Sequence, residues 1–167
     1  MDFDFEKIKP IKMLVMDVDG IMTDSRIMLD ANGEWKRFFS VRDGLGILSV
    51  RNAGYTTAVI TGANSVDVRK RMEHLKIHHF FENKSDKIPA FEDLKIRTGF
   101  EDKEICYIGD DLPDLPLLMA AGFAVTVPEA VEDVRKECDY ITAKQGGYGA
   151  VRELCDLIVR NGSHRKL

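Results

Sequence analysis

Short uninterrupted apolar runs alternate along the chain with longer stretches in which apolar positions recur every three or four residues. Met13-Leu14-Val15-Met16, Thr57-Ala58-Val59-Ile60, Ile105-Cys106-Tyr107-Ile108 and Phe123-Ala124-Val125-Thr126-Val127 each end near Gly, Asp or Pro. Runs of this length predict strands buried on both faces. Between them the period is helical. Asp43 is placed to cap a helix reaching about Asn52 before Gly54, and Val68, Met72 and Leu75 share one face. Three more helices are expected from about Ser85 to Thr98, from Leu115 to Ala121 and from Ala150 to Val159, closed by Gly99, Gly122 and Gly162. Such alternation predicts an α/β fold: three layers, with an open, mostly parallel sheet covered by helices on both faces. One segment departs from it. Asp30-Ala31-Asn32-Gly33, flanked by Arg26-Ile27-Met28-Leu29 and Trp35-Lys36-Arg37-Phe38-Phe39, predicts a β-hairpin over about 26–40 that protrudes directly after the first strand.

The 167 residues contain no linker, repeat or low-complexity tract, so one domain over 1–167 is expected. Acids outnumber bases 28 to 24, and the basic residues are scattered rather than gathered in a stripe, which argues against a nucleic-acid partner. The longest uncharged stretch, Leu115 to Pro128, falls short of the roughly 18 apolar residues of a membrane span. Met1 to Pro10 mixes Asp2, Asp4, Glu6, Lys7 and Lys9 and is unlike a secretory signal. Cys106, Cys138 and Cys155 are odd in number and far apart, as expected of reduced thiols in a cytoplasmic protein.

In open α/β sheets ligands bind beyond the carboxyl ends of the strands, so the residues there are the candidates for chemistry. The first strand ends in Asp17-Val18-Asp19-Gly20 with Thr23-Asp24 behind; the next ends in Thr61-Gly62, and the third in Gly109-Asp110-Asp111 with Asp114 close by. Asp24 or Asp43 taken singly reads as a turn former or cap. Asp17, Asp19 and Asp110 converging on one sheet edge repel one another unless a cation holds them, and an all-oxygen set favours Mg²⁺. The spacing of two between Asp17 and Asp19 points both side chains the same way in a strand-like segment.

These motifs, in this order, resemble the haloacid dehalogenase superfamily of phosphohydrolases: Asp17-Val-Asp-Gly-Ile-Met-Thr-Asp24, Thr61-Gly62, a lysine opening the next helix, and Gly109-Asp-Asp-Leu-Pro-Asp114. Within it, the hairpin, Val41-Arg42-Asp43-Gly44 and Gly146-Gly147-Tyr148-Gly149-Ala150-Val151-Arg152-Glu153 resemble the small phosphatases of 3-deoxy-D-manno-octulosonate 8-phosphate, which serve lipopolysaccharide synthesis. The resemblance implies a Rossmann-like sheet without a separate cap domain, in a homotetramer whose neighbours roof each site. It implies that Asp17 is the nucleophile, forming an aspartyl phosphate. Asp19 is then the acid and base, and Thr61 and Lys87 bind phosphoryl oxygens; Ser85-Asp86-Lys87 favours Lys87 over Lys84. Mg²⁺ is implied on the Asp17 side chain, the Asp19 carbonyl and the Asp110 side chain, with Asp111 and Asp114 behind them. Substrate contacts are expected from Gly62, Gly147 and Arg152, with Arg71 and Arg42 as further candidates for a sugar carboxylate. His74, His78 and His79 match no metal spacing and read as surface or packing residues.

One position departs from the pattern. After Thr61-Gly62 the octulosonate phosphatases usually carry Arg and the nonulosonate 9-phosphate enzymes Glu, whereas this chain has Ala63. The alternatives are therefore a nonulosonate or other small-molecule phosphatase, or a non-catalytic assembly module of the same fold. The complete acid set argues against the module, which has no need of Asp19.

Overall fold

The computed structural model describes residues 5–164, so Asp2 and Asp4 of the charged amino-terminal stretch lie outside the described residues. A single 3-10 turn, Phe5–Ile8, leads into β1 (Met13–Met16). The hairpin strands β2 (Met28–Leu29) and β3 (Trp35–Lys36) come next, then α1 (Val41–Asn52), β4 (Thr56–Ile60), α2 (Val66–His74) and β5 (His79–Phe81). The second half runs through α3 (Ile88–Thr98), β6 (Ile105–Ile108), α4 (Leu115–Ala120), β7 (Phe123–Thr126), α5 (Glu132–Glu137), β8 (Tyr140–Ile141) and α6 (Ala150–Asn161).

Six strands form one parallel sheet in the order β5-β4-β1-β6-β7-β8. Met13 lies opposite Thr56 on one side and Ile105 on the other. Every residue of β1, β6 and β7 is buried, and an unbroken apolar run is what a strand with no water-facing side requires. The chain moves outward from β1 through α1 and α2, then crosses back to β6 and moves out the other way. Right-handed connections therefore put α1 and α2 on one face and α3, α4 and α5 on the other, and α6 returns to pack on α1. The reversal of direction occurs at β1, which opens a crevice at its carboxyl end.

The hairpin forms where the turn residues placed it. Asp30 Oδ1 accepts the N–H groups of Asn32 and Glu34, both at 2.9 Å, and Gly33 takes φ +77°. It stands off the sheet with Met28, Leu29, Trp35 and Phe38 about half exposed or more.

Two local expectations are corrected, and three elements were not anticipated. Ser40, not Asp43, caps α1, and its Oγ accepts the Asp43 N–H at 3.3 Å. The Asp43 carboxylate instead accepts the Arg152 N–H at 2.8 Å, holding the positive end of α6. Helix α3 starts at Ile88 rather than near Ser85, because Lys84, Ser85 and Lys87 line the crevice. Strands β5 and β8 and helix α5 had no sequence signal: β5 and β8 are two or three residues at the sheet edges, and α5 is six mostly charged residues.

Phe91 of α3 lies edge-on to Tyr107 of β6, with ring centroids 6.4 Å apart and both side chains buried. Phe91→Ala is expected to cost about 3–5 kcal/mol, the usual loss for a buried Phe. A urea titration with a lower midpoint and unchanged slope checks this.

Candidate active site

The crevice at β1 holds a pocket of about 300 Å³ lined by Asp17, Asp19, Thr61, Lys87, Asp110 and Asp114, among others. A larger cavity of about 690 Å³ lies along α6 but has no comparable cluster of buried carboxylates, so chemistry rather than volume marks the site. Asp17 extends β1 by one residue, its N–H donating to the Ile108 carbonyl at 3.0 Å, which fixes its side chain at the sheet edge. Beyond it the chain turns at once. The N–H groups of Ile21, Met22 and Thr23 all donate to the Val18 carbonyl. Asp19 therefore reaches the pocket from a turn, and the strand alternation expected from its spacing is not what brings it there.

Gly20 makes this turn possible. It takes φ +87°, and a Cβ there would lie 2.0 Å from Asp110 Oδ2. Asp110 is thereby seated against the nucleophile loop, opposite Asp17.

Lys87 is buried and donates to Asp17 Oδ1 at 2.7 Å and to Asp114 Oδ1 at 2.6 Å, whereas Lys84 lies exposed at the rim. Asp114 also accepts the Tyr107 hydroxyl and the backbone N–H groups of Asp110 and Asp111. Both its oxygens are thus in use, and its role is to hold Lys87 and the loop. Asp111 accepts the Leu112 N–H at 2.7 Å and stays exposed on the rim. Thr61 Oγ1 accepts the Ala63 N–H at 3.1 Å, which leaves the hydroxyl proton for another acceptor; Gly62 and Ala63 complete that wall.

Burial raises Asp17 to a pKa of about 7, reinforced by Asp114 and opposed by Lys87. Burial likewise raises Asp110 to about 8, helped by Asp17, Asp114 and Asp111. Burial pulls the Lys87 ammonium down, but its two carboxylate partners outweigh that and leave it raised. One ammonium for three crowded acids is an unbalanced set. Carboxylate oxygens of Asp17, Asp110 and Asp114 lie within 4.8 Å of one another. Asp114 is fully engaged, whereas the Asp110 carboxylate accepts no hydrogen bond among the described residues and Asp17 is met there only by Lys87 and the Val18 N–H. Nor does the Asp19 carbonyl accept a backbone bond. Hard oxygen donors with open lone pairs and excess charge fit a Mg²⁺ ion.

The other expected substrate contacts are not brought here by this chain. Gly147 donates its N–H to the Ile21 carbonyl at 3.0 Å, and Gly146 packs so tightly that a Cβ would lie 1.7 Å from the Gly20 carbonyl oxygen. That loop braces the nucleophile turn, and Gly146 and Gly147 also line the adjoining cleft. Arg152 pairs with Asp156 at 3.0 Å along α6, and Arg71 donates to the Ser40 carbonyl at 2.8 Å beneath the Phe39 ring. Continuous with the pocket is a cleft along Asp24, Arg26 and Tyr148 that leads to Arg42. Sequence reasoning missed Tyr107, hidden in an apolar strand, and Arg37, whose guanidinium reaches Asp19 from the hairpin. No motif marks either one.

The raised pKa values have a thermodynamic consequence. Asp17 and Asp110 bind protons more tightly in the folded state than in the unfolded chain, so the metal-free protein loses stability as pH rises from the unfolded carboxylate range through about 7 and 8. The Tm of EDTA-treated protein is expected to fall between about pH 6 and about pH 9. Mg²⁺ should raise Tm more at the upper end, and Asp110→Asn should flatten the profile. Calorimetry with and without Mg²⁺ reads all three.

Comparison with known proteins agrees with this geometry. The haloacid dehalogenase-like hydrolase family matches residues 69–154. The 3-deoxy-D-manno-octulosonate 8-phosphate phosphatase of Escherichia coli K12 is 38% identical over 153 residues, covering 92% of this chain and 81% of the relative. The crystal structure of that phosphatase from Moraxella catarrhalis, in complex with magnesium ion, phosphate ion and KDO, superposes with a TM-score of 0.92 at 42% identity, over 95% of this chain and 91% of the other. The cobalt-bound form from Haemophilus influenzae gives 0.89 at 39% identity, over 93% and 91%. With the acid motifs, the parallel sheet and the pocket at β1 all in agreement, the chain belongs to the haloacid dehalogenase-like hydrolases.

Proposed function

We propose that this protein is a Mg²⁺-dependent phosphomonoesterase that hydrolyses 3-deoxy-D-manno-octulosonate 8-phosphate to the free sugar acid and inorganic phosphate. The observation that carries the reading is the buried Asp17 at the tip of the central strand, tied to Lys87 and facing Asp110 across one pocket. It gains weight from relatives named for that activity at 38% identity over most of the chain.

Each residue has work that its contacts support. Asp17 attacks phosphorus and becomes an aspartyl phosphate as the ester P–O bond breaks. Lys87, already charged and fixed by Asp114, draws the negative phosphoryl group against the nucleophile. The free proton of the Thr61 hydroxyl serves a phosphoryl oxygen. Asp19 protonates the departing sugar oxygen and then takes a proton from the water that releases phosphate. Asp17, Asp110 and the Asp19 carbonyl would hold Mg²⁺, whose charge offsets the repulsion between nucleophile and phosphate.

Ala63 leaves its wall without the charge usual in octulosonate phosphatases, which favours a second reading, another small sugar phosphate as substrate. Arg42 along the adjoining cleft offers the cation a sugar carboxylate needs, whereas Arg26 there is already forked onto Asp24, and Arg42 keeps the octulosonate first.

We also infer a homotetramer in which the exposed apolar side chains of the hairpin, Met28, Leu29, Trp35 and Phe38, pack against neighbouring copies and roof the site. Among the described residues no helix is long and apolar enough to cross a membrane, and the three cysteines are free, in keeping with a cytoplasmic enzyme.

Asp17→Asn is expected to abolish phosphate release from the octulosonate phosphate while the protein stays folded, because an amide cannot replace the nucleophile. EDTA should silence the wild type and Mg²⁺ restore it. Retention of about a tenth of wild-type turnover in Asp17→Asn, on a scale where covalent catalysis supplies many orders of magnitude, would sink the covalent mechanism. For the assembly, light scattering should give four chains; a fully active monomer rules the tetramer out.

A further inference from the structure

Asp19 has a partner that belongs to neither the sheet nor the motif loops. Arg37 follows β3, and its Nε donates to Asp19 Oδ1 at 2.6 Å while Nη2 donates to Oδ2 at 3.0 Å. Its third nitrogen, Nη1, donates to Ser65 Oγ at 2.9 Å and reaches Asp67 Oδ1 at 3.4 Å, at the start of α2. The Arg37 side chain is only 7% exposed, although neighbouring Phe38 is 75% exposed. Among the described residues, and apart from this fork, the Asp19 carboxylate meets only the Thr23 hydroxyl, at 3.4 Å. Arg37 thus fixes the plane of a group that is otherwise 36% exposed and weakly held.

We propose that Arg37 is the positioning residue for Asp19, aiming its carboxyl group at the ester oxygen and making the proton-transfer step depend on the hairpin. The inference rests on the reading of Asp19 as acid and base given above. A carboxyl group can hand over a proton only along a lone-pair direction of one oxygen, so Oδ2, whose bond to Nη2 is the longer at 3.0 Å, must give up that bond to carry the proton while Nε keeps Oδ1 and the plane in place. As the bond between Asp17 and phosphorus forms and the ester P–O bond breaks, that proton moves from Asp19 to the leaving alkoxide. In the second half the attacking water returns a proton to Asp19. A planar guanidinium with two parallel N–H donors suits this task, and a lysine ammonium, a single point charge, suits it less.

Two substrates separate positioning from a role in the fold. The value of kcat/KM covers binding through phosphoryl transfer to Asp17, and in that span a sugar alkoxide needs a proton on leaving while p-nitrophenolate does not. The experiment compares 3-deoxy-D-manno-octulosonate 8-phosphate with p-nitrophenyl phosphate for wild type, Arg37→Met, Arg37→Lys, Asp19→Asn and the Arg37→Met/Asp19→Asn double variant. In Arg37→Met the ratio of kcat/KM for the sugar ester to that for the aryl ester should fall by about tenfold or more, within the roughly 10²–10⁴-fold that a placed acid supplies. Arg37→Lys, the variant most apt to fold, should lie between Arg37→Met and wild type. The double variant should show no lower ratio than Asp19→Asn alone. Equal losses on both esters in the Arg37 variants, with Asp19→Asn still selective, would assign Arg37 to the fold and overturn the proposal. An unchanged or higher ratio in Arg37→Met would overturn it as well. Equal losses in Asp19→Asn would instead remove the acid reading, and the proposal with it.

Discussion

Three carboxylates crowded beyond the ends of two neighbouring buried strands, with a single ammonium among them, are the constraint around which this molecule is arranged. Isolated charges do not survive at such burial, and like charges within a few ångströms compound the cost. Lys87 neutralises part of the excess by bridging Asp17 and Asp114. Tyr107 and two backbone N–H groups stabilise Asp114 further, which frees it from any direct part in binding. The remainder stays on Asp17 and Asp110, and it is that remainder which makes the pocket a receptor for a divalent cation.

The sheet explains why the acids can be held so close. Asp17 and Asp110 follow neighbouring parallel strands, β1 and β6, whose ladder aligns Met16 with Ile108. Their separation is therefore set by strand spacing rather than by loop conformation. Thr61 follows β4 on the other flank, and its wall is closed by a short continuation of pairing: the Lys84 N–H donates to the Thr61 carbonyl and the Asn83 N–H to that of Ala63. Chemistry that needs fixed distances rests on the stiffest part of the fold, and the variable elements, the hairpin and the cleft, are left to meet the rest of the substrate.

The same division accounts for what could be read from the residue order. β1 and β6 appear there to the residue because a strand buried on both faces leaves an unbroken apolar signature, and the acids are found by looking just past it. β5 and β8 sit at the sheet edges, where His79, Phe80 and Tyr140 are only half buried, so no period distinguishes them from loops. Asp43 shows a subtler failure. Its position suited a cap for its own helix, yet the carboxylate caps another helix more than a hundred residues away, which local pattern cannot reveal. Arg37 is illegible for the same reason, since its reach to Asp19 depends on the path of the hairpin between them. The substrate contacts expected from Arg152 and Arg71 came from likeness alone, and within one chain the first guanidinium lies against Asp156 on its own helix and the second against the Ser40 carbonyl.

The tight seating of Gly146 on the Gly20 carbonyl ties the order of assembly to the chemistry. The turn that carries Asp19 and seats Asp110 is braced by a loop encoded 126 positions later, and that loop is held in turn by α6 and Asp43. A chain emerging from the ribosome can pair β1 with β4 long before this brace exists. The shape of the cation pocket thus depends on contacts between the two ends of the chain, and a change in the last helix reaches the nucleophile turn through them.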